Sequence, residues 1–132
     1  MTENNAVVNG MINASTKYCV NIGRFVRGKN IDSVIKYLDK VMHKKAVIPW
    51  RTHNDKVPHK RGMGPGKYPV KASREIIKLL ESVKSNAKNK GMNEEQLIIK
   101  EFIPNRMFSE ESRSRYSRGK WTYLKIGVVE KK

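Results

Sequence analysis

The sequence predicts an α+β fold in which three helices pack on a small three-stranded antiparallel sheet, with a long basic loop and an extended β-hairpin. Before residue 90, apolar residues recur at intervals of three and four in three segments, which is the pattern of helices with one buried face. Two later segments are instead rich in β-branched and aromatic residues, as strands are. A stretch of prolines and glycines that fits neither pattern separates the second helix from the third.

The first two predicted helices follow each other closely. The first begins at Thr16, with Ser15 as a plausible N-cap, and ends at Gly28. Its apolar stripe is Tyr18, Ile22 and Phe25. The second helix begins at Ile31, and Pro49 lies beyond its last turn. The apolar stripe of this second helix is Ile31, Val34, Ile35, Leu38, Val41 and Met42.

The third helix is expected from about Val70 to Asn89. Pro69 suits the first turn of a helix, and Gly91 suits the left-handed position just past its end. Strands are expected over residues 97–103 and 121–129, and a short one within the first dozen residues. The two later strands form an extended hairpin over residues 97–129, whose tip near residues 105–120 is polar.

The proline- and glycine-rich segment, residues 46–69, is predicted to be a basic loop. It has four prolines and three glycines, so no regular structure is expected there. Structureless loops of this length are uncommon in compact domains unless they are functional. Because this loop and the hairpin tip have few apolar residues to offset the entropy of ordering, both are expected to be disordered in the free protein.

Composition predicts a single domain, residues 1–132, that binds a polyanion. The formal net charge is +16, and repulsion among so many like charges opposes folding unless a partner neutralises them. No apolar run approaches the length of a membrane span, and the first five residues lack the pattern of a signal peptide, so no membrane partner is expected. The single cysteine, Cys19, excludes an internal disulfide and indicates the cytosol. No exposed heptad seam is present, and no homo-oligomer is expected.

The positive charge is concentrated in residues 17–29, 44–74 and 105–120, at helix ends and in predicted loops. Irregular basic segments favour RNA over DNA, because folded RNA presents phosphates at many angles, whereas DNA readers typically place a helix in the major groove. Three aromatic residues lie among these basic residues: Trp50, Tyr68 and Tyr116. They are candidates for stacking on RNA bases, and ordinary packing is the alternative for each. The clusters predict an rRNA-binding set that includes Lys17, Arg24, Lys60, Arg61, Tyr68, Lys71 and Arg106.

Catalytic and metal sites are not predicted. The histidines, His43, His53 and His59, match no zinc spacing, and neither metal nor cofactor is expected. The glycine-rich run at residues 62–67 lacks the spacing of a phosphate-binding loop, and its glycines are expected to let the backbone approach RNA closely. The acidic pairs at residues 94–95 and 110–111 lie in exposed polar contexts, whereas acid–base catalysis needs carboxylates with perturbed pKa values. The chain is therefore not expected to be an enzyme.

Several motifs together resemble one protein family. They are FVRGK at residues 25–29, AVIPWRTHN at 46–54 and GPGKYPVKA at 64–72, with SNA at 85–87 and KG at 90–91. Over about residues 12–132 the chain resembles the universal large-subunit ribosomal protein family twenty-two, called seventeen in eukaryotes. The loop is similar to the archaeal form, and the bacterial form lacks it.

The resemblance implies a structural protein of the cytoplasmic large ribosomal subunit that binds large-subunit rRNA and supports assembly. It also implies contacts with neighbouring large-subunit ribosomal proteins, and a hairpin that helps to line the nascent-peptide exit tunnel beside the nascent polypeptide. Residues that match the family's rRNA-facing motifs are Arg27, Lys29, Arg51, His53, Asn54 and Lys67. The hairpin tip, matched by position, contains Arg113, Arg115, Tyr116, Arg118 and Lys120.

The tip departs from the family pattern, which leaves alternatives open. Here SRYSRGK at residues 114–120 replaces the usual Pro-Arg-Ala-x-Gly-Arg, in a shorter hairpin. A tip that only coats surface rRNA is therefore one alternative to a tip that reaches the tunnel. For the whole chain, the alternatives are a chromosome-coating protein that binds duplex DNA by charge alone and an RNA-processing enzyme, for which no catalytic constellation is found.

Overall fold

The computed structural model describes residues 4–107, 110–111 and 118–131. The helices are α1 (Thr16–Val26), α2 (Ile31–Met42) and α3 (Val70–Asn89), and a short 3-10 helix spans Glu94–Gln96. The strands are β1 (Asn5–Ile12), β2 (Ile48–Pro49), β3 (His59–Lys60), β4 (Gly64–Lys67), β5 (Leu97–Arg106), β6 (Glu110–Glu111), β7 (Arg118–Gly119) and β8 (Thr122–Glu130). The predicted α+β class is confirmed, and the three predicted helices are present.

The main sheet has the antiparallel order β1-β8-β5, so the last strand along the chain is central. Its buried face is built by alternate residues, since successive side chains of a strand point to opposite faces. On β8 these are Leu124, Ile126 and Val128, all fully buried. A register shift between Ile99 and Glu101 places a bulge in β5. Strand β5 is longer than predicted, because its backbone pairing continues past its apolar residues to Arg106↔Thr122, whereas β8 has the predicted length and lies one residue later.

All three helices lie on one side of this sheet. Helix α3 packs against β1 and β8, α1 packs against β5, and α2 packs mainly against α3. The helical stripes supply the core, with Ile22, Leu38, Ile76 and Leu80 fully buried. Helix α1 approaches β5 closely at Gly23, where a Cβ atom would lie 2.6 Å from Cδ1 of Phe102. This close approach positions the outer face of α1 relative to β5.

Helix ends differ from prediction in two details. Ser15 occupies the N-cap position of α1, but its side chain makes no capping hydrogen bond, and its backbone carbonyl accepts from the N–H of Cys19. Helix α1 ends at Val26, and Gly28 follows with φ of +78°. Asn30, which was not predicted as a cap, caps α2 by accepting at Oδ1 from the N–H of Asp32 at 2.9 Å.

The prediction that residues 46–69 contain no regular structure is wrong, because β2, β4 and β3 pair there as a small antiparallel sheet. Apolar residues support it: Ile48, Trp50 and Val57 are buried. The segment therefore has more apolar support than the sequence indicated, which removes the reason given for expecting disorder.

Gly66 has a different role from the one predicted. It is buried, and a Cβ there would collide with the side chain of Val47, so this glycine accommodates the protein's own packing. Gly62 and Gly64 have φ of +75° and +73°, which glycine adopts without steric cost. The run therefore makes the turn between β3 and β4.

Part of the predicted hairpin tip is described only by its backbone. Strands β6 and β7 pair through Glu110↔Gly119 and Glu111↔Arg118. Arg113, Arg115 and Tyr116 lie outside the described residues. Among the helices of the described ranges, none has the length and apolar character needed to cross a membrane.

Candidate nucleic-acid interface

Helix α1 carries an exposed basic residue near each of its ends. Lys17 and Arg24 are seven residues apart and therefore lie on one face of the helix. A groove opens beside each of them. Together the two grooves bring most of the first basic cluster next to residues from the loop and from the base of the hairpin.

The first groove, here called the α1–loop groove, has a volume of about 420 Å³. It lies between α1, the turn after it and the start of the loop. Its lining residues are Asn21, Arg24, Phe25, Arg27, Lys29, Pro49 and Arg51. Four of the predicted rRNA-binding residues therefore line one groove, although Arg51 is distant from the other three in sequence.

Asn21 fastens the loop to α1. Its side chain is fully buried and donates from Nδ2 to the backbone carbonyl of Lys17 at 2.9 Å. Its Oδ1 accepts from the N–H of Arg51 at 3.0 Å, the N–H of Thr52 at 3.3 Å and the hydroxyl of Thr52 at 3.1 Å. This residue was missed by sequence reasoning. The available signal was an asparagine on the otherwise apolar face of α1, three residues after Tyr18 and one before Ile22.

The turn after α1 is fastened to β5. The guanidinium of Arg27 donates to the backbone carbonyl of Phe102 at 2.6 Å. Gly28 donates its N–H to the carbonyl of Ile99 at 2.8 Å, and Ile99 donates to the carbonyl of Lys29 at 3.1 Å. Arg27 thus has a structural contact, and the other donors of its guanidinium remain for a ligand.

Lys29 lies against an aromatic pair. Its Nζ is 3.2 Å from the centroid of the Phe25 ring, and the ring of Tyr37 lies 4.7 Å from Phe25. Burial lowers the pKa of the Lys29 ammonium from its ordinary value, because desolvation disfavours the charged form. The cation–π contact compensates part of that cost.

The second groove, here called the α1–hairpin groove, has a volume of about 320 Å³. Its lining residues are Ser15, Thr16, Lys17, Arg106, Met107, Lys120 and Trp121. A 2.9 Å hydrogen bond between the hydroxyls of Thr16 and Thr122 joins α1 to β8 at this point. The groove therefore lies between the start of the hairpin and the first basic cluster. It is lined by one basic residue each from α1, from β5 and from the position after β7.

Within the loop, the cations contact aromatic rings of the protein itself. Lys67 Nζ lies 5.0 Å from the ring of Trp50 and 5.6 Å from that of Tyr18, and these two rings meet edge to face at 4.9 Å. Lys60 Nζ lies 5.3 Å from the ring of Tyr68. Trp50 is only 1% exposed, so packing is its role and stacking on a base is excluded. Tyr68 is half-buried.

The remaining predicted residues lie outside both grooves. His53 is exposed with φ of +52°, and the carbonyl of Asn54 accepts from the N–H of Val57, so both shape the loop turn. Arg61 is exposed near the β3–β4 turn, and Lys71 is exposed in the first turn of α3. Arg118 lies on β7, where only its backbone is described.

Acidic partners are found elsewhere in the protein. Ion pairs of the described residues include Lys84–Asp32, Lys78–Glu75, Lys125–Glu101 and Lys88–Glu94. Across residues 4–107 and 119–131, no carboxylate lies within 4.0 Å of any predicted rRNA-binding basic side chain. In the same ranges, no three His, Cys, Asp or Glu side chains converge in a way that suits a metal ion.

Comparison with known proteins gives a consistent family match. The family model described as ribosomal protein L22p/L17e matches residues 7–125. Large ribosomal subunit protein uL22 of Picrophilus torridus is 43% identical over 88 residues, which cover 67% of this chain and 59% of that protein. The uL22 protein of Thermoplasma volcanium is 42% identical over 106 residues, with 79% and 72% covered, respectively. That of Methanococcus aeolicus is 41% identical over 98 residues, with 72% and 64% covered. The chain therefore spans about three fifths to three quarters of the length of these relatives.

Proposed function

The chain belongs to the ribosomal protein L22p/L17e family, and on that premise we propose that it is a structural constituent of the large ribosomal subunit that binds large-subunit rRNA. Its place is then the cytoplasmic ribosome, and its role is to hold rRNA and support assembly of the subunit. No enzymatic activity and no cofactor are part of the proposal. The partners are rRNA, neighbouring large-subunit proteins and, at the hairpin, the nascent polypeptide.

The observation that carries the proposal is that the predicted rRNA-binding basic side chains lie apart from the acidic side chains. Within residues 4–107 and 119–131 the predicted rRNA-binding basic side chains have no carboxylate partner, whereas Asp32, Glu75, Glu94 and Glu101 pair with other lysines. Unpaired cations gathered along one helix need an external polyanion, because the net charge of +16 otherwise repels itself. Phosphates supply that charge at the spacing of a nucleic-acid backbone.

The two grooves lie beside the same helix, α1, and together form the candidate surface. Lys17 lines the α1–hairpin groove, Arg24 lines the α1–loop groove, and the two residues lie on the same helical face. The surface is broad and presents basic residues from four separate chain segments. This suits the compact, irregular phosphate arrangement of folded rRNA. A DNA-binding helix instead inserts its side chains into one major groove.

A salt titration tests the proposal. Affinity of the full chain for fragments of archaeal large-subunit rRNA is measured between low and moderate salt. Six or more phosphate contacts at roughly −0.7 each predict a log–log slope of about −4 or steeper. Duplex DNA of equal length serves as competitor. A shallow slope, or equal competition by duplex DNA, contradicts the proposal, and the latter result favours a chromosome-coating protein.

The extended hairpin, residues 97–129, is proposed to help line the nascent-peptide exit tunnel. The support is the family membership together with the long pairing of β5 and β8, which extends the hairpin to Arg106 and Thr122. Cosedimentation of the tagged chain with large subunits tests the assembly part of the proposal. Absence of the chain from large subunits under conditions that retain other ribosomal proteins contradicts it.

A further inference from the structure

The α1–loop groove differs from an ordinary basic surface because its cations are held in place by backbone contacts. Asn21 holds the backbone of Arg51 against α1, and hydrogen bonds to β5 hold the turn that carries Arg27 and Lys29. The fourth cation, Arg24, lies on α1 itself. Binding then costs little backbone entropy, since the segments that carry the cations are already ordered.

The groove is suited to binding a charged phosphate and poorly suited to binding a nucleobase. The only aromatic ring in its lining is that of Phe25, and this ring already contacts the ammonium of Lys29 and the ring of Tyr37. A nucleobase that stacked there would have to displace one of them. None of the described residues that line the groove has an acidic side chain to accept from a base amino group, whereas three have guanidinium groups. Guanidinium groups match the geometry of phosphate oxygens.

The size of the groove indicates how much RNA it holds. Its volume of about 420 Å³ lies in the roughly 300–1,000 Å³ range of sites that hold a single small ligand. A whole duplex cannot enter a site of this size, whereas the backbone of one strand can lie in it. Because the cations surround the groove, that strand must present its phosphates inward and its bases outward.

We propose that the α1–loop groove binds the phosphodiester backbone of a single RNA strand, without reading its bases, and that Asn21 is the positioning residue that assembles the groove. This inference rests on the proposed rRNA binding and adds which part of the RNA is recognised, and where. It also gives the loop a defined function, because the loop contributes Arg51 and Pro49 to the groove.

The first experiment compares two charge-matched double variants. Arg24→Gln with Arg51→Gln removes two groove cations, and Lys36→Gln with Lys40→Gln removes two exposed bases of α2 that do not line the groove. The groove variant is expected to make the salt slope for the rRNA fragment shallower by about 1.4, at roughly 0.7 per contact. The α2 variant is expected to leave it unchanged. Equal losses from the two variants, or no loss from the groove variant, overturn the inference.

The second experiment distinguishes phosphate from base recognition. Single methylphosphonate linkages, which lack the phosphate charge, are placed along the strand that the wild-type protein protects. At one or two adjacent positions they are expected to weaken wild-type binding about tenfold and to leave the groove variant unaffected. Base substitutions at these positions are expected to change affinity less than twofold. A tenfold discrimination among bases there overturns the inference while leaving rRNA binding intact, whereas failure of the wild-type protein to bind rRNA contradicts the proposed function itself.

Discussion

Lys84 of α3 donates a 2.7 Å hydrogen bond to Oδ1 of Asp32 at the start of α2. The contact joins the second half of α3 to the first turn of α2, and Glu94 lies 3.9 Å from the same ammonium. Acidic residues are thereby used to hold the helical layer together, away from both grooves of α1. Asp32 also lies at the helix N-terminus, where a negative charge is favourable.

The Lys84–Asp32 pair is expected to stabilise the fold in a pH-dependent way. The hydrogen bond that Lys84 donates to Asp32 raises the pKa of Lys84 above its ordinary value of 10.5. Its contribution is therefore fully present below pH 10.5 and is lost as the pH rises through the higher folded value. Lys84→Met is expected to lower the free energy of unfolding by up to about 1 kcal/mol near pH 7, because the pair is partly exposed.

A double-mutant cycle measures this pair. Urea unfolding of the wild type, Lys84→Met, Asp32→Asn and the double variant is compared near pH 7 and at a higher pH at which Lys84 has lost its proton. A coupling energy that persists unchanged at the higher pH contradicts the assignment. Lys88→Met, which removes a more exposed ammonium 3.4 Å from Glu94, serves as the matched control and is expected to have a smaller effect.

Removing the Asn21 amide is expected to detach the loop from α1. Asn21→Ala leaves the N–H groups of Arg51 and Thr52 without their acceptor, and unsatisfied buried polar groups cost about 1–3 kcal/mol. Hydrogen exchange should accelerate at residues 51–52 more than in α3. Thr52→Val removes one hydroxyl contact and is expected to have a smaller effect. If the salt slope for RNA stays at the wild-type value after Asn21→Ala, Asn21 does not position the groove.

Gly23→Ala is expected to destabilise the contact between α1 and β5. The added methyl would lie 2.6 Å from Cδ1 of Phe102, and overpacking of this kind typically costs about 1–3 kcal/mol. Thermal and urea unfolding measure the loss, and Ser33→Ala on the exposed face of α2 serves as a control. Phe102→Leu in the same chain should recover part of the loss. Additive effects of the two changes would show that the clash is relieved by other movements.

The Cys19 thiol is expected to be unreactive in the folded protein. Burial raises its pKa to about 11, although a hydrogen bond with Thr122 opposes the shift. The folded state therefore holds the thiol proton more tightly than the unfolded state, and this contribution to stability is lost as the pH rises from about 9 to about 11. A thiol-reactive dye at pH 8 should label the protein only after denaturation. Rapid labelling of the native chain would contradict this expectation.

Neutralising Arg113, Arg115 and Arg118 is expected to spare the fold and most initial RNA binding, because the clusters at residues 17–29 and 44–74 remain. The expected damage is to late subunit assembly or to passage of nascent chains. Sucrose-gradient profiles measure assembly. Crosslinking from Tyr116 in ribosomes stalled on several nascent chains measures the tunnel contact, and crosslinks to rRNA alone would favour a tip that only coats surface rRNA.

Helix periodicity proved a reliable guide because each stripe is local in sequence. Helix α3 begins at Val70 and ends at Asn89, as predicted, and Gly91 has the predicted left-handed conformation with φ of +74°. The family motifs likewise lie in short continuous runs, which made the family recognisable from residues alone. The basic segments identified by charge clustering include residues that line the two grooves, and their contact with rRNA stays a prediction.

The loop was harder to predict because its order depends on distant partners. Ile48 and Trp50 are buried in the folded chain, and Asn21 bonds across thirty residues to Arg51. By composition the loop has few apolar residues. The structure shows that these few suffice to order the loop once α1 packs beside them. Gly66 is a similar case. A side chain cannot be accommodated at this position because Val47 packs against it, and this contact exists only in the folded chain.

The sequence alone therefore determined the fold class, the helices, the family and the basic segments, since each depends on the identity of residues close together in the chain. Only the tertiary structure decided which basic residues share a groove, which aromatic rings already contact a lysine of the protein, and which asparagine holds the loop against α1. These features depend on distances between segments that fold together, as when Arg24 and Arg51 meet across one groove. The physical reason is that a hydrogen bond or a cation–π contact acts over a few ångströms in space, whatever the separation in sequence.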